Sequence, residues 1–137
     1  MAERFYSFTV PFVRGKGRVK FVKATGRTYT PDATAEAMER VRQAFAAIGG
    51  ERAPEGVPVR VSITTARGMP KSRPKRLESE PDVYKPDADN IAKLVLDSLN
   101  GTAWVDDTQV NILSVQKYDR DRVAEEQTHI IVSWEDE

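Results

Sequence analysis

Apolar and polar residues alternate along Phe5–Val10, placing Tyr6, Phe8 and Val10 on one side at period two, the pattern of a half-buried strand. The alternation returns at Val57, Val59, Val61 and Ile63, separated by Pro58, Arg60 and Ser62. Proline cannot donate to a ladder, so Pro58 suggests that this second strand begins at a sheet edge. Further strands are expected over Val110–Tyr118 and Thr128–Trp134, joined by a charged turn. Between these stretches the period changes. Met38, Val41, Phe45 and Ile48 recur at steps of three and four, a buried helical stripe with Thr30 as N-cap, Pro31 at the first helical position and Gly49-Gly50 as the stop. A second helix fits Asp87–Leu99, closed by Asn100-Gly101. Helices and strands mix without strict alternation, and neither a repeat nor a composition break divides the chain. The expectation is one α/β (α+β) domain over residues 1–137, a two-layer sandwich with a mixed sheet and two main helices.

Composition narrows the chemistry. No apolar run approaches the ~18 to 20 residues of a membrane span, and the N-terminus lacks a secretory pattern, so a cytoplasmic protein without a membrane partner is expected. The absence of cysteine excludes disulfides, thiolate metal sites and cysteine nucleophiles, and His129 is the only histidine. His129 reads as a pairing or surface residue of the last strand, and Trp104 and Trp134 as core or interface residues. Any catalysis must rest mainly on carboxylates and lysines.

The zero net charge conceals a division. Residues 1–76 carry 16 basic and 6 acidic residues, whereas residues 77–137 carry 5 basic and 15 acidic. The basic residues concentrate in a hairpin or arm over about 14–30, where Arg14, Lys16, Arg18, Lys20, Lys23 and Arg27 stand without an acid before residue 32. They concentrate again in a segment over about 67–86, whose first half holds Lys71, Arg73, Lys75 and Arg76. Two prolines and a glycine argue against helix there, and a mobile loop is expected. Such segments suit nucleic-acid phosphates. A basic hairpin can equally serve to block strand pairing at an edge.

The acidic half carries the densest constellation, Asp87-Ala88-Asp89-Asn90 followed by Lys93 and Asp97. At 100° per residue Asp89, Asn90, Lys93, Asp97 and Asn100 share an arc of about 100°, opposite Ile91, Leu94, Val95 and Leu99. Acids at a helix start also have a plain use as caps and dipole partners, and an i, i+4, i+8 array of acid, base and acid is common on exposed helix faces. A second acidic pair, Asp106-Asp107, follows the helix at the lead-in to a strand. If that strand packs antiparallel on the helix, the two pairs can converge. Gathered carboxylates would then require a cation, and oxygen ligands alone favour Mg²⁺ or Mn²⁺. With basic segments nearby, phosphodiester hydrolysis follows as the expected chemistry.

The run from Asp87 through Lys93 and Asp97 to Trp104-Val105-Asp106-Asp107-Thr108-Gln109-Val110 resembles the core motif of RusA-like Holliday junction resolvases. Outside it, a strand ending at Pro11, a basic hairpin closed by Gly26-Arg27-Thr28, a helix and a strand follow in the family's order. The resemblance implies a Mg²⁺- or Mn²⁺-dependent homodimeric endonuclease that resolves four-way DNA junctions by paired nicks in recombination and repair. It places metal-binding acids at Asp87, Asp89 and Asp107 and an essential lysine at Lys93. Asp106 would assist or shape its turn, Asn90 would support the ligands from beside them, and Asp97 would be structural. The lead-in Tyr84-Lys85-Pro86 departs from the arginine-rich family pattern, which shifts expected DNA contact toward Arg73, Lys75 and Arg76. Two other classes compete: a non-catalytic nucleic-acid-binding module, and a Mg²⁺-dependent nucleotide phosphohydrolase, which lacks a Gly-rich phosphate cradle here.

Overall fold

A computed structural model describes residues 2–17, 20–22, 27–29 and 32–136, with side chains outside the stretch 18–31. The expected helix cap at Thr30-Pro31, and Arg18 and Lys23, lie outside the described residues; Lys20 and Arg27 are described by backbone only. In chain order the elements are β1 (Ala2–Val10), β2 (Lys20–Val22), β3 (Arg27–Tyr29), α1 (Asp32–Ala47), β4 (Val59–Ala66), β5 (Ser79–Glu80), α2 (Ala88–Leu99), a 3₁₀ turn (Asp107–Gln109), β6 (Val110–Lys117), β7 (Arg120–Asp121) and β8 (Gln127–Asp136). The main sheet has the order β1-β8-β4-β6. β4 pairs parallel with β6, while β8 is antiparallel to both β1 and β4. The mixed sheet, two helices and single domain match the sequence expectation, and β2 and β3 form the antiparallel hairpin of the basic arm.

The parallel pair explains the place of α2. Parallel neighbours need a crossover connection, and α2 supplies it between β4 and β6. Its apolar face must then return to the sheet: Ile91, Leu94, Val95 and Leu99 are each at most 2% exposed. Alternation along the strands sends Phe8, Val10, Val59, Val61, Ile63, Ile130 and Val132 to the same core. α1 contributes Val41 and Phe45, the latter edge-on to Tyr6 and Phe8 at 5.5 and 5.7 Å between ring centres. The opposite sheet face carries Ser7, Thr9, Arg60, Ser62 and Thr64 together with exposed Phe5 and Ile112. There His129 lies between the hydroxyls of Ser7 and Thr9, at 3.0 and 2.9 Å, a pairing residue as expected.

Three expectations are corrected. Pro58 does not mark an edge: the ladder begins one residue later at Val59, and β4 lies between β8 and β6. Ile48 leaves the α1 stripe because the helix ends at Ala47, and it is exposed. The segment 67–86 is anchored rather than loose. Asp82, almost fully buried, accepts two hydrogen bonds from Arg67 at 2.9 and 2.5 Å and lies 3.8 Å from the Lys117 ammonium. Arg67 also donates to the Lys85 carbonyl at 2.8 Å, and Lys117 to the carbonyls of Tyr84 and Pro86 at 2.5 and 3.0 Å. Glu80 holds both Arg73 and Arg120, and the Arg120 guanidinium lies 3.8 Å over the Tyr84 ring. Oppositely charged residues scattered along the chain outweigh the local disorder signal of proline and glycine.

Burial pushes the Asp82 carboxyl up, but the hydrogen bonds and charge of Arg67, helped by the Tyr84 amide and Lys117, bring it below the ordinary aspartate range. Asp82→Ala strands two cations and is expected to cost about 3 kcal/mol of unfolding free energy in a denaturant titration at pH 7. The same pairing stabilises the wild type fully above the ordinary aspartate pKa and is lost as pH falls through the lowered one. The gap between wild type and variant should therefore close under strong acid.

Candidate active site at the ends of the second helix

The start of α2 is set by the anchored segment just before it. Asp87 occupies the N-cap position with extended backbone (φ −66°, ψ 154°), yet its side chain makes no capping hydrogen bond. The plain reading of this acid as a cap is therefore not realised. Asp89, in the first turn, faces the Lys93 ammonium at 3.8 Å, with both side chains well exposed (70% and 63%). An exposed pair of that kind is worth well under 1 kcal/mol, so neither side chain is tied down. The chain leaving β1 crosses this helix start: the Lys16 amide donates to the Asn90 carbonyl at 3.1 Å. Gly15 permits that approach, since a Cβ there would lie 2.9 Å from Cβ of Asn90 and 3.0 Å from Cβ of Pro86. The crossing frames a cleft of about 650 Å³, lined by Arg14, Lys16, Lys85, Asp87 and Asn90 together with Thr34 of α1.

The other acidic pair stands where α2 ends. Gly101, at φ +78°, turns the chain in a conformation other residues rarely adopt. Ala103 and Trp104 then enter the core. The turn that follows is built by two residues of the motif. Asp106 caps the 3₁₀ turn by accepting from the Thr108 amide at 3.1 Å. The Gln109 side chain accepts from the amides of Val105 and Asp106 at 2.9 and 3.0 Å and donates to the carbonyls of Pro54 and Val57 at 2.8 and 3.0 Å. Asp106 therefore shapes the turn, the second of the two roles foreseen for it. Asp107 accepts from the Trp104 indole N–H at 2.7 Å. Burial raises the Asp107 carboxyl above the ordinary aspartate range, and the charges of Asp97 and Asp106 raise it further against the opposing indole hydrogen bond. Asp97 in turn forms an ion pair with Lys16.

The candidate acids thus form two groups in one chain. Asp87 and Asp89, with Lys93 and Asn90, belong to the start of α2; Asp107, Asp106 and Asp97 belong to its end. Eight residues of helix separate Asp89 from Asp97, about 12 Å along the axis. β6 does return antiparallel to α2, but it is Lys117, at its far end, that meets the helix start. Among the described residues no three carboxylates or imidazoles are gathered as a ready metal cluster. The donor chemistry nevertheless suits a hard divalent ion. Mg²⁺ is usually held by one or two carboxylates plus water and substrate phosphate, not by a full protein cage, and the mutual repulsion around Asp107 is of the kind a cation relieves.

Among the expected DNA contacts, Lys16 is occupied by Asp97 and Arg73 by Glu80. Arg14 stacks over Phe12 at 5.0 Å beside the cleft. Lys71, Lys75 and Arg76 are exposed on the 67–86 segment. Sequence reasoning gave no role to Arg67, Lys117 or Gln109 and read Trp104 as a core or interface residue, in keeping with its full burial; all four position the acids, and only the Trp and Gln of the 104–110 motif offered a signal.

Compared with known families, the chain matches the one described as endodeoxyribonuclease RusA over residues 11–132. No curated protein matches it.

Because the Asp107 pKa is raised, protonation of that carboxyl favours the folded state, and stability falls as pH rises through it. Asp107→Asn retains an acceptor for Trp104 and removes the charge. The variant should melt at an equal or higher temperature than wild type at pH 7, with the gain shrinking as pH is lowered. A variant that melts lower at pH 7 would make the Asp107 charge a stabilising one.

Proposed function

The chain belongs to the RusA endodeoxyribonuclease family, and from that premise we propose that it cuts four-way DNA junctions by metal-dependent phosphodiester hydrolysis, nicking two strands symmetrically as a homodimer in DNA recombination and repair. The observation that carries this reading is the Asp87 carboxylate, placed at a helix start without capping it, on a cleft rimmed by Arg14 and Lys85. Asp87, Asp89 and Asp107 would hold Mg²⁺ or Mn²⁺. Such an ion lowers the pKa of water and offsets charge on the phosphoryl oxygens.

The remaining work falls to this chain's own groups. Lys93, one turn along from Asp89, orients the attacking water or offsets charge building on the phosphate oxygens. Asn90 lies on the cleft wall, where its amide can hold a neighbouring oxygen. Arg14, Lys85 and the exposed Lys71, Lys75 and Arg76 hold the DNA backbone, which makes binding depend steeply on salt.

The test is incubation of purified protein with labelled four-way junction and matched duplex, with and without Mg²⁺. Symmetric nicks confined to the junction and dependent on the ion are expected. Asp89→Asn and Lys93→Ala should each slow cleavage by roughly 10²-fold or more while junction binding persists. Binding without cleavage under all divalent ions would make the protein a non-catalytic module, and equal cutting of duplex would remove the junction specificity.

A further inference from the structure

A second cleft, of about 640 Å³, opens at the other end of the main sheet, where β4 begins and β8 ends. It shares no lining residue with the cleft at the start of α2. Pro54, Val57, Pro58 and Trp134 supply its apolar wall. That wall is held in shape by hydrogen bonds. The Gln109 side chain donates to the carbonyls of Pro54 and Val57 at 2.8 and 3.0 Å, and the Val57 amide donates to the Pro54 carbonyl at 3.2 Å. Trp134 is 4% exposed, yet its indole N–H reaches no acceptor among the described residues. The other tryptophan, Trp104, gives its N–H to Asp107. A buried donor left unpaired costs about 1 to 3 kcal/mol, which an acceptor entering the cleft would recover.

The charges around the cleft decide which acceptor fits. Glu55, Glu135 and Asp136 line it against one cation, Arg60. Arg4 takes Asp136 at 2.9 Å, while Arg60 is shared between Glu3 at 3.4 Å and Glu135 at 4.0 Å. Glu55 stands exposed. The cleft is therefore acidic, and like charge turns away phosphate and carboxylate acceptors. A neutral carbonyl carried beside a cation remains, and a peptide holding arginine or lysine supplies both. We infer that this cleft binds an extended basic segment of a partner protein, one of whose backbone carbonyls accepts from the Trp134 indole N–H. The charged head of its arginine or lysine meets Glu55 and Glu135. The aliphatic stem below that head lies along Pro54, Val57 and Pro58, as long basic side chains do on apolar surface. A volume of this size suits a short stretch of chain, not a folded surface. The inference does not rest on the proposed function, because no lining residue belongs to the candidate active site.

The two tryptophans make the test direct. In the ¹⁵N-labelled chain they give two indole N–H signals, and Trp134→Phe identifies the one from Trp134. The probe is the blocked tetrapeptide acetyl-Ala-Ala-Arg-Ala-amide, with norleucine or glutamate in place of the arginine as controls. The arginine peptide should move the Trp134 indole proton downfield until it saturates. The Trp104 signal, already bonded to Asp107, should stay in place. Glu55→Gln with Glu135→Gln, at two exposed positions, should keep the fold by circular dichroism. It should weaken peptide binding roughly three- to tenfold, the worth of two exposed ion pairs, and added salt should weaken binding to the wild type. No saturable shift at Trp134, equal binding of the norleucine or glutamate peptide, or an affinity indifferent to the two substitutions would overturn the inference. None of these measurements reads DNA cleavage, so their failure is distinct from failure of the proposed function.

Discussion

Everything about the site follows from the burial of one helix. α2 sinks Ile91, Leu94, Val95 and Leu99 into the core, and each such side chain contributes about 1.5 to 3 kcal/mol when fully buried. The charged pair on its outer face contributes a few tenths. The apolar side therefore decides how the helix sits, and the acids on the other side are left facing outward without having chosen their place. Their exposure is a consequence of the core, and it makes them available for chemistry.

Burial fixes rotation but not the positions of the helix ends. Those are held by polar groups drawn from elsewhere in the chain. At the start, Arg67 and Lys117, both paired with Asp82, donate to the carbonyls of Tyr84, Lys85 and Pro86. At the end, Gln109 ties the turn to Pro54 and Val57, and Trp104 holds Asp107 through its indole N–H. The scaffold is stiff where the acids are, while the acids carry weak or repulsive interactions. Asp87 caps nothing, Asp89 has one exposed partner, and Asp107 has a raised pKa. Groups held against their own preference in this way are common where function is placed.

The sequence made part of this legible. Period-two spacing found β1 and β4, and helical spacing both helices, because those elements bury one face each; β6, which has no buried residue, and β8 were expected as strands without that alternation. The motif from Asp87 to Val110 identified the family. What spacing could not supply was long-range pairing. Pro58 gave no sign that the strand behind it lies inside the sheet. Pro70 and Pro74 suggested a loose segment, although Asp82 binds Arg67 and Lys117 over sequence separations no local rule covers. The relation of Asp107 to Asp89 was likewise hidden, since it depends on which end of β6 returns to which end of α2. Arg73, read as a DNA contact from its basic neighbourhood, proved to be bound to Glu80.

The proposed function rests on Asp87, Asp89 and Asp107 holding a divalent ion. Paramagnetic broadening of backbone amide signals by substoichiometric Mn²⁺ tests it without any cleavage assay. The account predicts that broadening centres on residues 87–89 and 106–107 together, growing in parallel as the ion is added. Broadening at only one of these places, or centred instead on the acidic stretch 119–126, would contradict it.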